Sequence, residues 1–352
     1  MQASEAATGE VPDGIDREGV EAWFEANVPG AQQPLAFERI AGGHSNLTYS
    51  VTDTAGGHWA LRRPPLGKRL ASAHDMRREH KVISALEPTS VPVAPLVGLC
   101  EDESVNGAPF YVMEFLDGPI LRSRADAERF PDAADRRAIG ERVVDTLVDL
   151  HSIDPDGVGL GDLAKPDGQV ARQLRRWQGQ WEKSKTREIP LVDEVHERLA
   201  ARVPEQSPAA IVHGDYRLDN MILRDSGEVA AVVDWELCTL GDPLTDVGML
   251  LVYWGEEGDE LVPLEPATQA PGFPSRDEVR ARYAERSGRD LVEIDFYVAL
   301  GLWKLAIILE GVYARYSAGQ YGTFEVDEGM ERFARVVERL ATAADEAERR
   351  LG

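Results

Sequence analysis

The feature of this sequence that most restricts its fold is the segregation of strand-like segments from helix-like segments along the chain. Up to about residue 117, short runs rich in β-forming residues are separated by glycines, and one helical segment interrupts them. After Gly118 the pattern changes to long segments with apolar residues at helical spacing. Strands first and helices afterwards predict an α+β fold with two lobes, an N-lobe at residues 1–117 and a C-lobe at 118–352.

The N-lobe pattern predicts a short helix over Val20–Asn27 and then an antiparallel sheet. The predicted strands are Leu35–Ile40, Leu47–Thr52, His58–Arg62, Pro95–Glu101 and Phe110–Leu116. A further helix is predicted over Ala73–Leu86, because its apolar residues recur at helical spacing and Pro88 follows it.

The C-lobe pattern predicts mainly helices, with short apolar strands between them. Helices are predicted at Ala133–His151, Asp167–Lys183, Leu191–Val203 and from Asp246 onwards, and strands at Ala210–His213, Met221–Leu223 and Val229–Asp234. The stretch Tyr297–Ala314 is apolar, but Lys304 and Glu310 interrupt it and it is short for a bilayer span. We interpret it as a buried core helix.

The charge and the N-terminus restrict the partners and the compartment. The 352-residue chain has a formal net charge of -24, which argues against nucleic acid and anionic membranes as partners. Such an acidic surface would suit either a halophilic source or an ordinary acidic cytosolic protein. Cys100 and Cys238 have no metal-ligand or CxxC spacing, and the acidic N-terminus does not resemble a signal peptide. We therefore expect a cytoplasmic protein without a membrane partner, and the sequence does not predict its oligomeric state.

The residues with the clearest chemistry lie in IVHGDYRLDNMIL at 211–223 and VVDWE at 232–236. Asp215 is followed five positions later by Asn220, and Asp234 ends an apolar run. Phosphoryl transfer requires a carboxylate at the attacking hydroxyl and hard oxygen ligands for Mg²⁺. We expect Asp215 to act as the catalytic base, and Asn220 and Asp234 to bind the magnesium that bridges the phosphates of ATP.

These motifs resemble the aminoglycoside phosphotransferase family, which shares the fold of eukaryotic protein kinases. Within that family, the chain is most similar to the kinase-like domain joined to some acyl-CoA dehydrogenases. The segments that carry the second resemblance are ALRRPP, MRREHKVISAL, YVMEFLDG, LHSID and LGDPLTDVGML, in that order. The resemblance covers roughly residues 37–320 and implies a protein-kinase-like two-lobed fold.

The resemblance also implies a nucleotide site in the N-lobe. Gly42-Gly43-His44-Ser45-Asn46 stands where kinases have a glycine-rich loop, so Ser45 and Asn46 are expected to donate to the phosphates. Arg62 stands at the position of the phosphate-binding lysine of kinases and is expected to pair with Glu79. In the segment that resembles the kinase hinge, Glu114 and Leu116 are expected to contact adenine through their main chains.

Other polar residues are expected to be structural. The resemblance implies that Asp246 braces the backbone of the catalytic loop, which is compatible with a role as a helix N-cap, and Asp242 is expected to be structural. His151 and His213 are expected to pack or to hydrogen-bond within the protein and not to transfer protons.

Two functions remain open from the sequence. The first is a kinase that uses ATP and Mg²⁺ to phosphorylate a hydroxyl of a small molecule. The second is a catalytically silent nucleotide-binding or scaffold module of the same fold, which the arginine at position 62 and the minimal glycine loop keep open.

The acceptor is also open, between an aminoglycoside, a hydroxyacyl-CoA and a choline- or homoserine-type alcohol. A basic and aromatic stretch could line a hydroxyacyl-CoA site or could be an ordinary helix surface with core tryptophans. It consists of Arg172, Arg175, Arg176, Trp177 and Trp181, with Arg187 beyond them.

Overall fold

The computed structural model describes residues 11–40, 46–67, 74–261, 265–317 and 328–351. The chain divides into two compact units. The first consists of the residues up to Gly118 together with Ala230–Cys238, and the second of Pro119–Val229 and Thr239–Gly352.

A five-stranded antiparallel sheet forms the centre of the first unit, with its strands in the order β1-β2-β3-β5-β4. The elements of this unit are α1 (Arg17–Asn27), β1 (Ala36–Arg39), β2 (Leu47–Thr52), β3 (His58–Arg63), α2 (Met76–Leu86), β4 (Leu96–Cys100), α3 (Glu103–Asn106) and β5 (Phe110–Glu114). Along β2, buried and half-buried residues alternate, as expected for a strand with one face on the core. That face packs with Val20 and Phe24 of α1 in one apolar cluster.

Helix α2 places a charged residue in its own apolar face. The helix begins after Asp75, whose side chain accepts hydrogen bonds from the amides of Arg77 and Arg78, as an N-cap residue does. Its buried face contains Met76 and Val82 and also Glu79. A buried carboxylate is unfavourable without hydrogen-bonding partners, so Glu79 requires cationic or polar neighbours.

The second unit is mainly helical. Its helices are α4 (Ala133–Ser152), α5 (Gln169–Ser184), α6 (Pro190–Ala201), α7 (Leu244–Tyr253), α8 (Arg276–Ser287), α9 (Ile294–Ser317) and α10 (Glu328–Arg349). Strand β6 (Ala210–Val212) pairs antiparallel with β9 (Thr239–Gly241). Strand β7 (Met221–Leu223) is followed by a turn in which the Arg224 amide donates to the Glu228 carbonyl, and then by β8 (Val229–Val232), most of which belongs to the first unit.

Helix α9 lies in the middle of the second unit and packs against α5, α6, α7 and α10. By length and composition it is apolar enough to cross a membrane, yet 72% of its most apolar window is buried inside the protein. This burial agrees with the interpretation of the stretch as a core helix. The sheet in the first unit and the helices in the second confirm the predicted α+β class.

Candidate active site

Arg62 is the centre of a network of charges in the first unit. It lies on β3, and its Nε donates to Oε2 of Glu79 at 2.9 Å. Its Nη2 donates to Oδ1 of Asp234 at 2.6 Å. The Arg62 side chain is 13% exposed and that of Glu79 is 2% exposed. The structure thus brings together the predicted pair Arg62–Glu79 and adds Asp234 to it.

Glu79 receives two further hydrogen bonds, from the Asn46 side-chain amide at 2.6 Å and from the Tyr111 hydroxyl at 3.0 Å. Burial raises the pKa of the Glu79 carboxyl, and the Arg62 guanidinium opposes that rise. For Arg62, burial would lower the pKa, but the surrounding Tyr111 and carboxylates raise it, so this residue stays a cation. The network therefore fixes one positive charge on β3.

Asn46 uses its side chain within this network. Besides Glu79, its Nδ2 donates to Oε2 of Glu236 at 3.2 Å, and its Oδ1 lies 2.9 Å from Nδ1 of His74. Both N–H groups of the side chain thus bind carboxylates, and the expected contact of Asn46 with phosphate stays a prediction. Ser45 and the glycines before it lie outside the described residues.

Asp234 has an unusual backbone. It follows β8 with φ 68° and ψ 58°, and among the described residues it is the one non-glycine residue with positive φ. Such a conformation costs about 1–3 kcal/mol and is often found at functional sites. The next residue, Trp235, is buried and donates from Nε1 to the Val232 carbonyl at 3.0 Å, which anchors the turn. The side chain of Asp234 is 32% exposed.

The predicted adenine-binding segment lies at the end of β5. The amide of Glu114 donates to the Pro95 carbonyl at 2.9 Å, and that of Phe115 to the His58 carbonyl at 3.3 Å. Among the described residues, no acceptor takes a hydrogen bond from the amide of Leu116. Contact of Glu114 and Leu116 with a nucleotide base stays a prediction.

The predicted catalytic loop begins where β6 ends, in the second unit. The carboxylate of Asp246, on α7, accepts hydrogen bonds from the amides of His213 at 2.7 Å and Gly214 at 2.8 Å. Nε2 of His151 lies 3.3 Å from the same carboxylate. Burial would raise the pKa of Asp246, but His151, His213 and the Gly214 amide hold it below its usual value. Asp246 therefore stays ionised and fixes the start of the loop.

Asp215 and Asn220 meet within this loop. Nδ2 of Asn220 donates to the backbone carbonyl of Asp215 at 2.9 Å and to its Oδ2 at 3.0 Å. This orientation leaves Oδ1 of Asn220 as the acceptor atom of the amide. The Asp215 side chain is 24% exposed, and Nε of Arg217 lies 3.3 Å from its Oδ2. Nδ1 of His213 accepts from the Asp215 amide at 3.3 Å, a contact within the protein of the kind expected for this residue.

Asp242 is fully buried in the second unit. Its carboxylate accepts hydrogen bonds from the Tyr297 hydroxyl at 2.9 Å and from the amides of Ser207 and Leu244. These contacts agree with a structural role.

The basic and aromatic stretch of α5 does not act as one surface. Trp181 is fully buried, and Arg187 donates to the Ala334 carbonyl. The guanidinium of Arg176 lies 5.8 Å from the ring centroid of Trp177. Only part of this stretch is therefore available to a ligand.

Each of the two predicted metal ligands has an oxygen donor of the kind that magnesium prefers. Asp234 supplies a partly exposed carboxylate in a strained turn, and the hydrogen bonds of Asn220 leave its amide oxygen as a donor. Mg²⁺ prefers such oxygen ligands and usually takes the rest from water and phosphates. In the described part of the chain, no three His, Cys, Asp or Glu side chains form a cluster that could hold a metal alone.

Several residues of the network were missed by the sequence analysis. Glu236 follows Asp234 in the DWE motif, so its position beside the predicted metal ligand was an available signal. Tyr111 and His74 carry no sequence signal, because their role depends on contacts with residues of other elements.

Comparison with known proteins gives the family. Residues 36–297 match the model of the APH phosphotransferase enzyme family. Mouse acyl-CoA dehydrogenase family member 10 is 34% identical over 292 residues, which are 82% of this chain and 27% of the relative. Mouse member 11 is 34% identical over 317 residues, which are 87% of this chain and 40% of the relative. The chain thus spans less than half the length of these relatives.

A crystal structure of a Ralstonia eutropha JMP134 protein, named as an aminoglycoside phosphotransferase, superposes with a TM-score of 0.79. It is 33% identical in sequence, and the match covers 94% of this chain and 99% of that protein. This likeness confirms the predicted protein-kinase-like fold, and the family match extends over most of both units. The chain therefore belongs to the APH phosphotransferase family.

Proposed function

We propose that the chain is an ATP- and Mg²⁺-dependent kinase that transfers the γ-phosphoryl group to a hydroxyl of a small molecule. The observation that supports this most is the catalytic loop. Asp215 and Asn220 are joined by hydrogen bonds, and buried Asp246 fixes the turn before them. A silent module would have no need to retain all three side chains in one hydrogen-bonded arrangement.

The proposed reaction uses Asp215 as the proton acceptor. The acceptor hydroxyl oxygen forms a bond to the γ-phosphorus, and its proton passes to the Asp215 carboxylate. The bond from the γ-phosphorus to the β–γ bridging oxygen breaks, and ADP leaves with that electron pair. The loop contributes mainly by holding Asp215 in position, as expected for a reaction in which positioning and charge stabilisation dominate.

Asn220 and Asp234 are the residues that would hold magnesium, which when bound neutralises charge on the phosphate oxygens. Arg62 is the cation that the first unit offers to the phosphates. Its contacts with Glu79 and Asp234 keep it charged and oriented.

For the acceptor we place a hydroxyacyl-CoA first. The support is that the mouse relatives are named as acyl-CoA dehydrogenase family members and match this chain over part of their length. An aminoglycoside is the second candidate, because the Ralstonia structure carries that name. Choline- and homoserine-type alcohols complete the set for testing.

The silent nucleotide-binding module stays the alternative, and one contact favours it. Arg62 lies 2.6 Å from Asp234, so a proposed metal ligand already has a cationic partner. If this ion pair were permanent, it would weaken magnesium binding at Asp234.

The test is Mg²⁺-dependent ADP release from ATP by the wild type in the presence of each candidate acceptor. Asp215→Ala should lower acceptor-stimulated release at least 1,000-fold while nucleotide binding persists. Asp234→Asn should weaken Mg²⁺-dependent nucleotide binding, because an amide oxygen carries no negative charge and is a poorer ligand for Mg²⁺ than a carboxylate. Asp225→Ala is the matched control, because this aspartate is 88% exposed in the turn between β7 and β8 and pairs only with Arg129 among the described residues.

Acceptor-stimulated release that depends on Asp215 would establish the kinase and identify the acceptor class. Tight binding of Mg-ATP by the wild type, without turnover on any acceptor, would favour the silent module. Normal turnover by both Asp215→Ala and Asp234→Asn would show that the assigned roles are wrong.

A further inference from the structure

Lys304 is a buried cation in a mostly apolar helix. It lies on α9 and is 7% exposed, and no other lysine in the described ranges is buried. Burial of an ammonium group is unfavourable unless polar or anionic groups compensate for the lost hydration. The position of Lys304 within a core helix therefore requires a specific explanation.

The ammonium group of Lys304 points to the catalytic loop. Its Nζ donates to the carbonyl of Gly214 at 3.3 Å and lies 5.5 Å from the ring centroid of Trp177. Together with Gly214 and Asp246, Lys304 lines a small cavity in the second unit. Burial lowers the pKa of Lys304, while the charges of Asp215 and Asp246 oppose that change.

Both backbone polar groups of Gly214, its N–H and its carbonyl, form hydrogen bonds with buried side chains. Its φ is +88°, a conformation that glycine adopts without strain. Its N–H donates to Oδ1 of Asp246, and its carbonyl accepts from Lys304. Two buried side chains of opposite charge, one on α7 and one on α9, thus hold the residue directly before Asp215. Rotation of the Gly214–Asp215 peptide would redirect the Asp215 side chain. The hydrogen bond from Lys304 opposes this rotation directly, because the Gly214 carbonyl belongs to that peptide, and the bond to Asp246 fixes the preceding His213–Gly214 peptide.

We propose that Lys304 is a positioning residue that holds the Gly214–Asp215 peptide, and through it the Asp215 carboxylate, in the orientation needed for phosphoryl transfer. This inference rests on the proposed function. Lys304 acts on the backbone carbonyl of Gly214 and is not itself the proton acceptor. A positioning residue should affect kcat more than the KM for ATP.

The first test compares Lys304→Met, which keeps the length of the side chain without its charge, with Lys183→Met. Lys183 is an exposed lysine on α5 and serves as the control. Hydrogen exchange of the backbone amides of residues 213–216 should become at least tenfold faster in Lys304→Met and stay unchanged in Lys183→Met. If Lys304→Met does not fold, Lys304→Gln replaces it, with a smaller expected acceleration.

The second test is Mg²⁺-dependent ADP release with the acceptor that stimulates the wild type. Lys304→Met should lower kcat at least tenfold and change the KM for ATP less than twofold. In Lys304→Ala, ethylammonium should restore part of the lost kcat, whereas ethanol at the same concentration should not. A role limited to packing would not depend on the charge of the added compound.

Unchanged amide exchange in a folded Lys304 variant would overturn the proposal, as would a wild-type kcat in Lys304→Met. If wild type and Asp215→Ala release ADP at the same rate, the proposed kinase function fails. The exchange experiment then decides by itself whether Lys304 holds the loop, because it requires no acceptor.

Discussion

Arg62 shows how strongly a single side chain of this site depends on its neighbours. It is mostly buried between two carboxylates, Glu79 and Asp234. Removing one member of a buried ion pair leaves the other charge without compensation and typically costs 3–5 kcal/mol, on the order of a third of the stability of a domain. Replacing both members by neutral residues costs much less.

We therefore expect Arg62→Ala to lower the free energy of unfolding by about 3 kcal/mol. The double variant Arg62→Leu/Glu79→Gln should lose less than the sum of the Arg62→Leu and Glu79→Gln losses, because it removes both buried charges together and the remaining partner, Asp234, is 32% exposed to water. Urea unfolding measures the free energy of unfolding of the wild type and of each variant. Arg77→Ala, which removes an exposed arginine paired with Glu101, is the control and should change stability by no more than about 0.5 kcal/mol. If the stability losses of the two single variants added up to the loss of the double variant, this account would be contradicted.

At the residue scale, the sequence predicted the residues whose chemistry is encoded in local spacing. Asp215 and Asn220 lie five positions apart, and the Asn220 side chain donates to both the backbone carbonyl and the carboxylate of Asp215. Lys304 was not predicted, because its partner lies 90 positions away; Glu236 stands beside Asp234 in the sequence, but its contact with Asn46 spans 190 positions. Such contacts depend on how distant elements pack, which local spacing does not contain.

At the scale of elements, long periodic segments were predicted well and short ones unevenly, since β7 at Met221–Leu223 was predicted with the bounds that it has in the structure. The helix that was predicted at Ala133–His151 spans Ala133–Ser152. The four-residue α3 and the three-residue β9 were missed, since so few residues show no periodicity. The predicted helix at Ala73–Leu86 begins at Met76, where Asp75 caps it, and Ala73 lies outside the described residues.

The caps of α2 and α8 offer a test of what each helix does. Asp75 caps α2, which carries Glu79, and Ser275 caps α8 in a capping box with Glu278. Asp75→Ala and Ser275→Ala should each lower the free energy of unfolding by about 1 kcal/mol. Only Asp75→Ala should also raise the KM for ATP, by a factor of about three, which corresponds to about 0.7 kcal/mol. The reason is that fraying of α2 would loosen Glu79, the partner of Arg62. Equal KM values in the two variants would show that α2 does not support nucleotide binding.

At the scale of the whole molecule, the structure assigns residues 230–238 to the first unit, far from its other residues along the chain. The sequence pattern places one boundary near residue 118 and cannot show such a return, because it follows the order of elements and not their contacts. Because the chain returns to the first unit at residues 230–238, Asp234 and Glu236 lie in the same unit as Arg62. Asn220, the other proposed metal ligand, lies in the second unit.

Histidines in both units connect the stability of the molecule to pH. Burial lowers the pKa of His74, His80, His151 and His196 below the ordinary value near 6.5. The unfolded chain therefore binds protons at a higher pH than the folded chain does. The resulting stability is fully present above the unfolded pKa and is lost as pH falls from there through the folded pKa. Glu79 and Asp219, whose pKa values burial raises, act in the opposite direction.

The contribution of His151 to the pH dependence can be measured separately by substitution. This histidine is fully buried between Tyr283 and Asp246. We expect the free energy of unfolding of the wild type to fall between pH 7 and pH 5, with His151 contributing at most about 1.4 kcal/mol per pH unit. In His151→Gln this slope should be smaller, whatever the absolute stability of the variant, since no proton is taken up at that position. Urea unfolding of both proteins at several pH values measures the two slopes. Identical slopes would show that His151 titrates alike in the folded and unfolded chains, and a steeper slope in the variant would contradict the assigned direction of its pKa shift.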